Sequence, residues 1–250
     1  MKKTKYSNIA PKYDKNPVRH NQPRESLIEQ ILGSTQTKVN ILDLACGTGN
    51  YLLAQGEYYR QKSINWFGCD LSKQMLEIAS KKLMNVDLCV ANAESLPYKN
   101  EMFNLIACNF AFHHFQNKQK AISEMYRTLK NDGIFILKNI SPEQMPLFWM
   151  YHFFPETKSI DKERFWTNLK LFDQFKKAGF NVELYTETII KEFDIQNILK
   201  EAVNRDSSQL TLISSTEYKN GLSRVRKEMK KTYRGEFSIL NLVGWKKDRV

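Results

Sequence analysis

Cysteine, proline and glycine are all scarce in this chain. The four cysteines, Cys46, Cys69, Cys89 and Cys108, form no Cys-x-x-Cys pair and have no histidine at zinc-finger spacing. That excludes a disulfide framework and a zinc module. Each lies in or at the end of an apolar run, as small buried thiols of a reducing compartment do. Seven prolines and ten glycines in 250 residues exclude collagen-like and proline-rich low-complexity chains. No apolar run approaches the roughly 18–20 residues that a membrane span needs. The basic start, Met1 to Lys5, has no apolar stretch behind it, so no secretory leader is expected. A soluble, cytoplasmic protein is the expectation.

Hydrophobic residues make up 42% of the chain and charged ones 26%, enough apolar material for a sizeable core. The net charge of +11 is unevenly spread. Residues 1–24 carry seven basic and one acidic side chain, and residues 219–250 carry ten and three, whereas 25–218 hold 21 and 23. The basic excess therefore sits in the two ends. Such ends suit nucleic acid, an acidic membrane face or an anionic substrate, and a plain solvated surface equally.

Neither internal repeats nor a Gly/Ser/Pro linker is present. Leu27, Ile28, Ile31 and Leu32 share one helical face, and Gly33 is placed to stop that helix. Short apolar runs follow at 39–45, 64–69, 86–91, 105–108 and 134–140. Between them Met75, Leu76, Ala79 and Leu83 share a helical face, as do Ala121, Ile122, Met125 and Leu129. Near-continuous apolar strands alternating with helices predict an α/β fold with a parallel sheet covered on both faces. Past residue 141 the rhythm changes. Phe148, Trp149, Tyr151, Phe153, Phe154, Phe165 and Trp166 crowd residues 142–166. A helix to about Ala178, a strand over 182–190, helices over 194–233 and a last strand from Phe237 to Trp245 complete the reading.

The sharpest motif is Ile41-Leu42-Asp43-Leu44-Ala45-Cys46-Gly47-Thr48-Gly49. A strand ends in an acid, and a Gly-x-Gly turn opens a helix, which lets backbone approach a ligand at the carboxyl edge of the sheet. A dinucleotide fingerprint would want glycine at position 52, which is Leu52. The second strand ends in Cys69-Asp70-Leu71-Ser72, an acid placed to accept the hydroxyls of a ribose. Asn92-Ala93-Glu94-Ser95-Leu96-Pro97, Asn109-Phe110-Ala111-Phe112-His113-His114-Phe115 and Arg127-Thr128-Leu129-Lys130-Asn131-Asp132-Gly133 follow the next three strands.

In this order the motifs resemble the class I S-adenosylmethionine-dependent methyltransferases, of the branch with the ubiquinone/menaquinone-biosynthesis enzymes, across roughly residues 37–140. The resemblance implies a Rossmann-like, seven-stranded, mostly parallel sheet with a reversed last strand, helices on both faces and a helical, aromatic lid. It implies one methyltransferase domain over 1–250, with 1–24 as an arm and 142–166 and 194–233 as lid insertions. It implies S-adenosyl-L-methionine as cofactor. Carried over by position, Asp43, Ala45, Gly47 and Gly49 face the methionine end, Asp70 the ribose, and Leu71 and Met75 the adenine. Asn92 stands where the family has an aspartate for the adenine amino group, Ala93 gives a backbone amide, and Asn109 a backbone carbonyl. Tyr13 and Arg19 resemble the N-terminal segment that closes over the cofactor. Phe103-Asn104 and Leu129-Lys130-Asn131-Asp132-Gly133 depart from the family's Phe-Asp and Leu-Lys-Pro-Gly-Gly.

Methyl transfer from a sulfonium needs alignment first and a base only when the nucleophile carries a proton. His113 and His114, at the mouth of strand four, are the candidate bases; the plain alternative is that they cap or pack under the next helix. Tyr151, Phe154 and Trp166 are candidate substrate walls, or else an anchor for the helices of 194–233. Arg205, Ser207 and Gln209 are a candidate polar contact or a surface turn. A small-molecule acceptor, anionic or aromatic, with an oxygen or carbon nucleophile is the first reading. A structured tRNA is the alternative, with Arg226, Lys227, Lys230, Lys231 and Arg234 as phosphate contacts. A non-catalytic S-adenosylmethionine-binding protein is the rival from another class.

Overall fold

The computed structural model describes Asp14 and residues 24–205, 207–229 and 232–246. Its backbone divides into two compact units. The first holds the described residues up to Lys138, Phe172–Leu184 and residues 242–246. The second holds Asn139–Leu171 and Tyr185–Asn241. The described parts of the expected insertions, 142–166 and 194–233, fall within the second unit.

In chain order the first unit opens with α1 (Ser26–Ser34), β1 (Val39–Leu44), α2 (Asn50–Tyr58), β2 (Ile64–Asp70), α3 (Lys73–Lys82), β3 (Val86–Val90), β4 (Phe103–Asn109) and α4 (Lys118–Thr128). Then comes β5 (Leu129–Ile140), followed later by α7 (Asn168–Lys177), β6 (Phe180–Asp194) and β7 (Thr232–Lys246), whose residues are shared between the units. One sheet runs β3-β2-β1-β4-β5-β7-β6. The pairings from β3 across to β5 are all parallel, and the closing strands are antiparallel. The seven-stranded sheet with a reversed last strand is therefore as expected.

Burial follows sheet position. Central β1 and β4 are buried along nearly their whole length, whereas outer β3 is half-exposed. That is why the central strands read as continuous apolar runs. Ile41, Leu105 and Ile136 face Ile28 and Ile31 of α1 and Tyr51 of α2. Phe135, one residue out of phase with Ile134 and Ile136, stacks on Phe175 of α7 with ring centres 5.1 Å apart. Burying Phe175 completely contributes roughly 1.5–3 kcal/mol. The chain steps outward from β1 to β2 and β3, then returns to β4 on the other side of β1. This reversal opens a crevice at the carboxyl ends of β1 and β4.

Some boundaries move. Gly33 does not stop α1, which runs on through it to Ser34. The last two strands reach Phe180–Asp194 and Thr232–Lys246, longer than apolar character alone indicated, because their added residues are largely polar.

The second unit adds α5 (Trp149–Phe153), α6 (Glu156–Arg164), α8 (Ile195–Asn204), α9 (Ser208–Leu212) and α10 (Ser215–Lys227). Its core gathers Phe148, Trp149, Tyr151, Phe153 and Phe154 with Ile195, Ile198 and Val225. Gly221 lets α10 approach this core, since a Cβ there would overlap the Phe154 ring. Inside it Asp161 accepts hydrogen bonds from Tyr151 (2.9 Å) and Gln209 (3.0 Å), with the Arg164 guanidinium 3.8 Å away. Burial pushes the Asp161 carboxyl above its ordinary range, against the lowering effect of these partners.

Candidate active site

Four chain turns at the carboxyl ends of β1–β4 build one cavity, all within the first unit. The turn after β1 leaves regular conformation at once: Ala45 stands at φ 61°, Gly47 at 54° and Gly49 at 78°. A left-handed alanine costs on the order of 1–2 kcal/mol, strain of the kind stored at ligand sites. Ala45 and Gly47 line the cavity. Gly49 lies behind it, where a Cβ would come within 2.6 Å of Leu83, so its role is to let α2 start against α3. Asp43 is buried below the turn. Burial, and then the charge of Asp70, push its carboxyl well above the ordinary range.

Asp70 closes β2 and reaches the β1 turn. One of its carboxylate oxygens accepts the Gly47 N–H at 2.9 Å, and the other accepts the Ser72 N–H at 2.8 Å. Burial raises its pKa while these backbone donors lower it. Ser72 caps α3 by accepting from the Met75 N–H. That sets Leu71 and Met75 on the cavity wall.

The turn after β3 is tied by its own side chains. Asn92 Oδ1 accepts the Glu94 N–H at 3.0 Å, and Glu94 Oε1 accepts the N–H groups of Gln116 and Asn117, each at 2.9 Å. Arg127 donates to the carbonyls of Leu96 and Tyr98 and pairs with Glu124. Asn92, Ala93 and Glu94 therefore arrive at the cavity on a braced loop. After β4, Asn109 is followed by Phe110 at φ 52° and a 3₁₀ turn, Phe112–His114. Asn109, Phe110, His114, Phe115 and Gln116 complete the lining. The Asn109 amide nitrogen is buried without a hydrogen-bond partner.

Of the two histidines, only His114 lines the cavity. His113 is buried, its ring centre 3.9 Å from that of His114. Neither caps α4, since Asn117 does so by accepting from the Lys120 N–H.

Comparison with known proteins gives the chemistry a family. The methyltransferase-domain family matches residues 42–137. The chain is 38% identical over 102 residues to the uncharacterized methyltransferase YcgJ of Bacillus subtilis, covering 39% of each chain. It is 32% identical over 136 residues to a demethylmenaquinone methyltransferase of Thermotoga maritima, covering 54% of this chain and 58% of that one. Residues 42–137 are therefore similar to the class I S-adenosylmethionine-dependent methyltransferases of the ubiquinone/menaquinone branch. The chain spans only part of the length of these curated relatives, 39% and 58%. The fold recurs in solved structures. YcgJ superposes with a TM-score of 0.59 at 21% identity, over 88% of this chain and 98% of that one. A Haemonchus contortus phosphoethanolamine N-methyltransferase 2, solved with S-adenosyl-L-methionine, gives 0.56 at 18%, over 89% and 52%.

The chain's departures from the pattern of these similar proteins have structural explanations. Asp132, in the place of a glycine, stands at φ 61°, a conformation that aspartate tolerates better than most residues. Gly133 stays glycine because a Cβ would come within 2.8 Å of the Lys130 carbonyl oxygen. Asn104 accepts from the Asn40 N–H and from Lys130 Nζ, both at 3.0 Å, a role that needs only a carbonyl oxygen.

Of the residues singled out in the sequence, Ala45, Gly47, Asp70, Leu71, Met75, Asn92, Ala93, Asn109 and His114 meet around the cavity. Asp43, Gly49 and His113 support it from behind. Tyr13 and Arg19 lie outside the described residues. Tyr151 and Phe154 sit in the core of the second unit, Tyr151 donating to Asp161, and Trp166 is half-buried with Lys170 Nζ 4.8 Å from its ring centre. Gln209 is buried on Asp161 rather than free for a polar ligand, and Arg205 stacks 3.7 Å over Tyr218. Glu94, Phe110, Phe115 and Gln116 were missed. The sequence signals for them are the Ala-Glu pair itself and the aromatics on either side of His113-His114.

Proposed function

We propose that this chain binds S-adenosyl-L-methionine in the cavity and transfers its methyl group to a small-molecule acceptor through a carbon or oxygen nucleophile. The observation that carries this is Asp70. Its two oxygens are each fixed by one backbone N–H, and each keeps a lone pair for one hydroxyl of a ribose diol. The remaining lining fits the same group. Leu71 and Met75 offer apolar surface to a purine, and Asn92 and Ala93 offer polar atoms to its edge. The Ala45–Gly47 turn and Asn109 face the amino-acid end, where the unpartnered Asn109 amide fits a carboxylate. Bound there, the cofactor supplies a methyl group on a positively charged sulfur.

The chain's own residues then align and deprotonate. Phe110 and Phe115 wall the acceptor side and keep water out. His114 is the proton acceptor for an acceptor O–H or C–H, and His113 holds its ring in place. Residues 142–166 and 194–233 supply acceptor recognition. The relatives named for demethylmenaquinone and ubiquinone/menaquinone biosynthesis favour a carbon nucleophile on an electron-rich aromatic ring, and a small molecule over tRNA. The four free cysteines fit a reducing compartment such as the cytoplasm, and no helix of the described residues is long and apolar enough to cross a membrane.

Titration calorimetry with S-adenosylhomocysteine, followed by mass-spectrometric detection of methyl transfer across a panel of phenols, hydroquinones and bulk tRNA, tests the reading. Absence of cofactor binding overturns it outright. Methyl incorporated into tRNA, with binding that weakens steeply as salt rises, overturns the small-molecule acceptor. Hydrogen exchange that changes only around 43–50, 70–76 and 92–110 when cofactor and acceptor are added overturns the role of 142–166 and 194–233.

A further inference from the structure

The outer strand of the sheet carries an edge that no other described strand covers. β6 ends the strand order, with β7 as its only strand partner among the described residues. Its other edge presents unpaired backbone donors and acceptors, which natural sheets usually shorten, charge or cover. Here residues 187–192 are all exposed. Because successive strand side chains point to opposite faces, neither face is covered. Tyr185, Ile189 and Ile190 are each about half exposed (53%, 48% and 55%). The run Tyr185-Thr186-Glu187-Thr188-Ile189-Ile190-Lys191-Glu192-Phe193 is rich in β-branched and aromatic residues, with no proline or glycine to break pairing.

We propose that β6 is a homodimer interface, joining two copies of this chain antiparallel about a two-fold axis at Ile189. In that register Glu187 faces the second copy's Lys191, and Tyr185 faces its Phe193, each pair occurring twice. Ile189 meets its own copy at the centre. All of these side chains lie on one face, where Lys191 Nζ already sits 4.8 Å from the Phe193 ring centre. Opposite charges and aromatic pairs directly across an antiparallel ladder are stabilising, and like charges are not. Moving the axis one residue, to Ile190 or to Thr188, keeps the faces matched but sets Lys191 against Ile189 or Tyr185 and pairs no unlike charges at all. The charges that protect this edge from arbitrary partners thus select a second copy in one register. A two-fold contact of this kind is closed, so the pairing stops at two. A single strand edge lies at the small end of stable interfaces, so the dimer forms with a concentration dependence in the micromolar range.

Sedimentation velocity of the full chain from about 1 to about 100 µM, the range in which weak interfaces associate, tests this. The expected result is a monomer that becomes a dimer as concentration rises. Lys191→Glu and Glu187→Lys should each abolish the dimer by setting like charges opposite twice. An equimolar mixture of the two variants should restore it, since both facing pairs become complementary again. Circular dichroism of each variant checks beforehand that the exposed substitution leaves the fold intact. A parent monomeric throughout overturns the proposal. So does a dimer that survives Lys191→Glu, or a mixture that stays monomeric.

Discussion

Replacing Asp70 by alanine separates a binding carboxylate from a merely structural one. In the free protein its oxygens hold the Gly47 and Ser72 N–H groups at 2.9 and 2.8 Å. The Gly47 donor lines the cavity, where water replaces the lost acceptor, and the substitution also removes a carboxylate whose burial disfavours its charge. The two effects oppose each other, so the melting temperature of the free protein should move by only a few degrees. The loss on the cofactor side has no such compensation. A charged acceptor bonded to a diol is worth roughly 1.5–3 kcal/mol, which weakens binding about tenfold to about 150-fold. At a ligand concentration about 100 times the parent's dissociation constant, ligand stabilisation is about 2.7 kcal/mol; after a hundredfold loss of affinity about 0.4 kcal/mol remains. For a chain of this size that is a ligand-induced rise in melting temperature of about 5–11 °C falling to about 1 °C. Thermal melts with and without S-adenosylhomocysteine read this directly. An undiminished ligand shift in Asp70→Ala would refute the assignment, and a collapse of the free protein would show the carboxylate to be structural first.

His114→Gln should lower turnover by about 10²–10⁴, as loss of acid–base help does, with cofactor affinity unchanged and the acid limb of the pH–rate profile removed; His113→Gln should cost less. Equal effects from the two, or an unaltered profile, would count against His114 as the proton acceptor. Asp43 makes stability fall as pH rises, because a carboxyl whose folded pKa is raised contributes stability in acid that is lost as pH climbs from about 4 through its folded value. Urea midpoints of the free protein at acid and alkaline pH should show this decline, and Asp43→Asn should flatten it; the same slope in the variant would place its origin elsewhere. Gly221→Ala should destabilise the second unit by roughly 1–3 kcal/mol through overpacking on Phe154, outweighing the helix-propensity gain of about 1 kcal/mol. A more stable variant by urea unfolding would mean that the Phe154 ring has room to move.

The first unit was legible because its signals are local. A strand writes itself as an apolar run to the degree that it is buried, most fully in β1 and β4, and the chain has five parallel strands ending in Asp43-Leu44, Asp70, Val90, Asn109 and Ile140. Positive backbone angles at Gly47 and Gly49 are announced by glycine. Those at Ala45 and Phe110 are not, because the surrounding turn imposes them against residue preference. The strand ends of β6 and β7 were missed for a related reason. Lys191, Glu192 and Asp194 of β6, and Thr232, Arg234 and Glu236 of β7, extend the strands without any apolar run to record them.

The aromatic stretch shows where composition misleads. Crowded phenylalanines and tryptophans over 142–166 are what a ligand wall and a helical core both need, because each buries the same apolar area. In this unit the core takes them: Phe154 is fully buried against α10 and Tyr151 is spent on Asp161. The phenylalanines that do reach the cavity are Phe115 and Phe110, the latter 40% exposed and held at φ 52° with its N–H on the Lys138 carbonyl. A large side chain gains nothing from that backbone conformation, and its exposure forgoes the burial that would repay the strain. Strain without burial is better explained by a ligand than by the fold. The first residues to vary in testing the proposed acceptor are therefore those that follow the end of β4 and line the cavity, Phe110, His114 and Phe115.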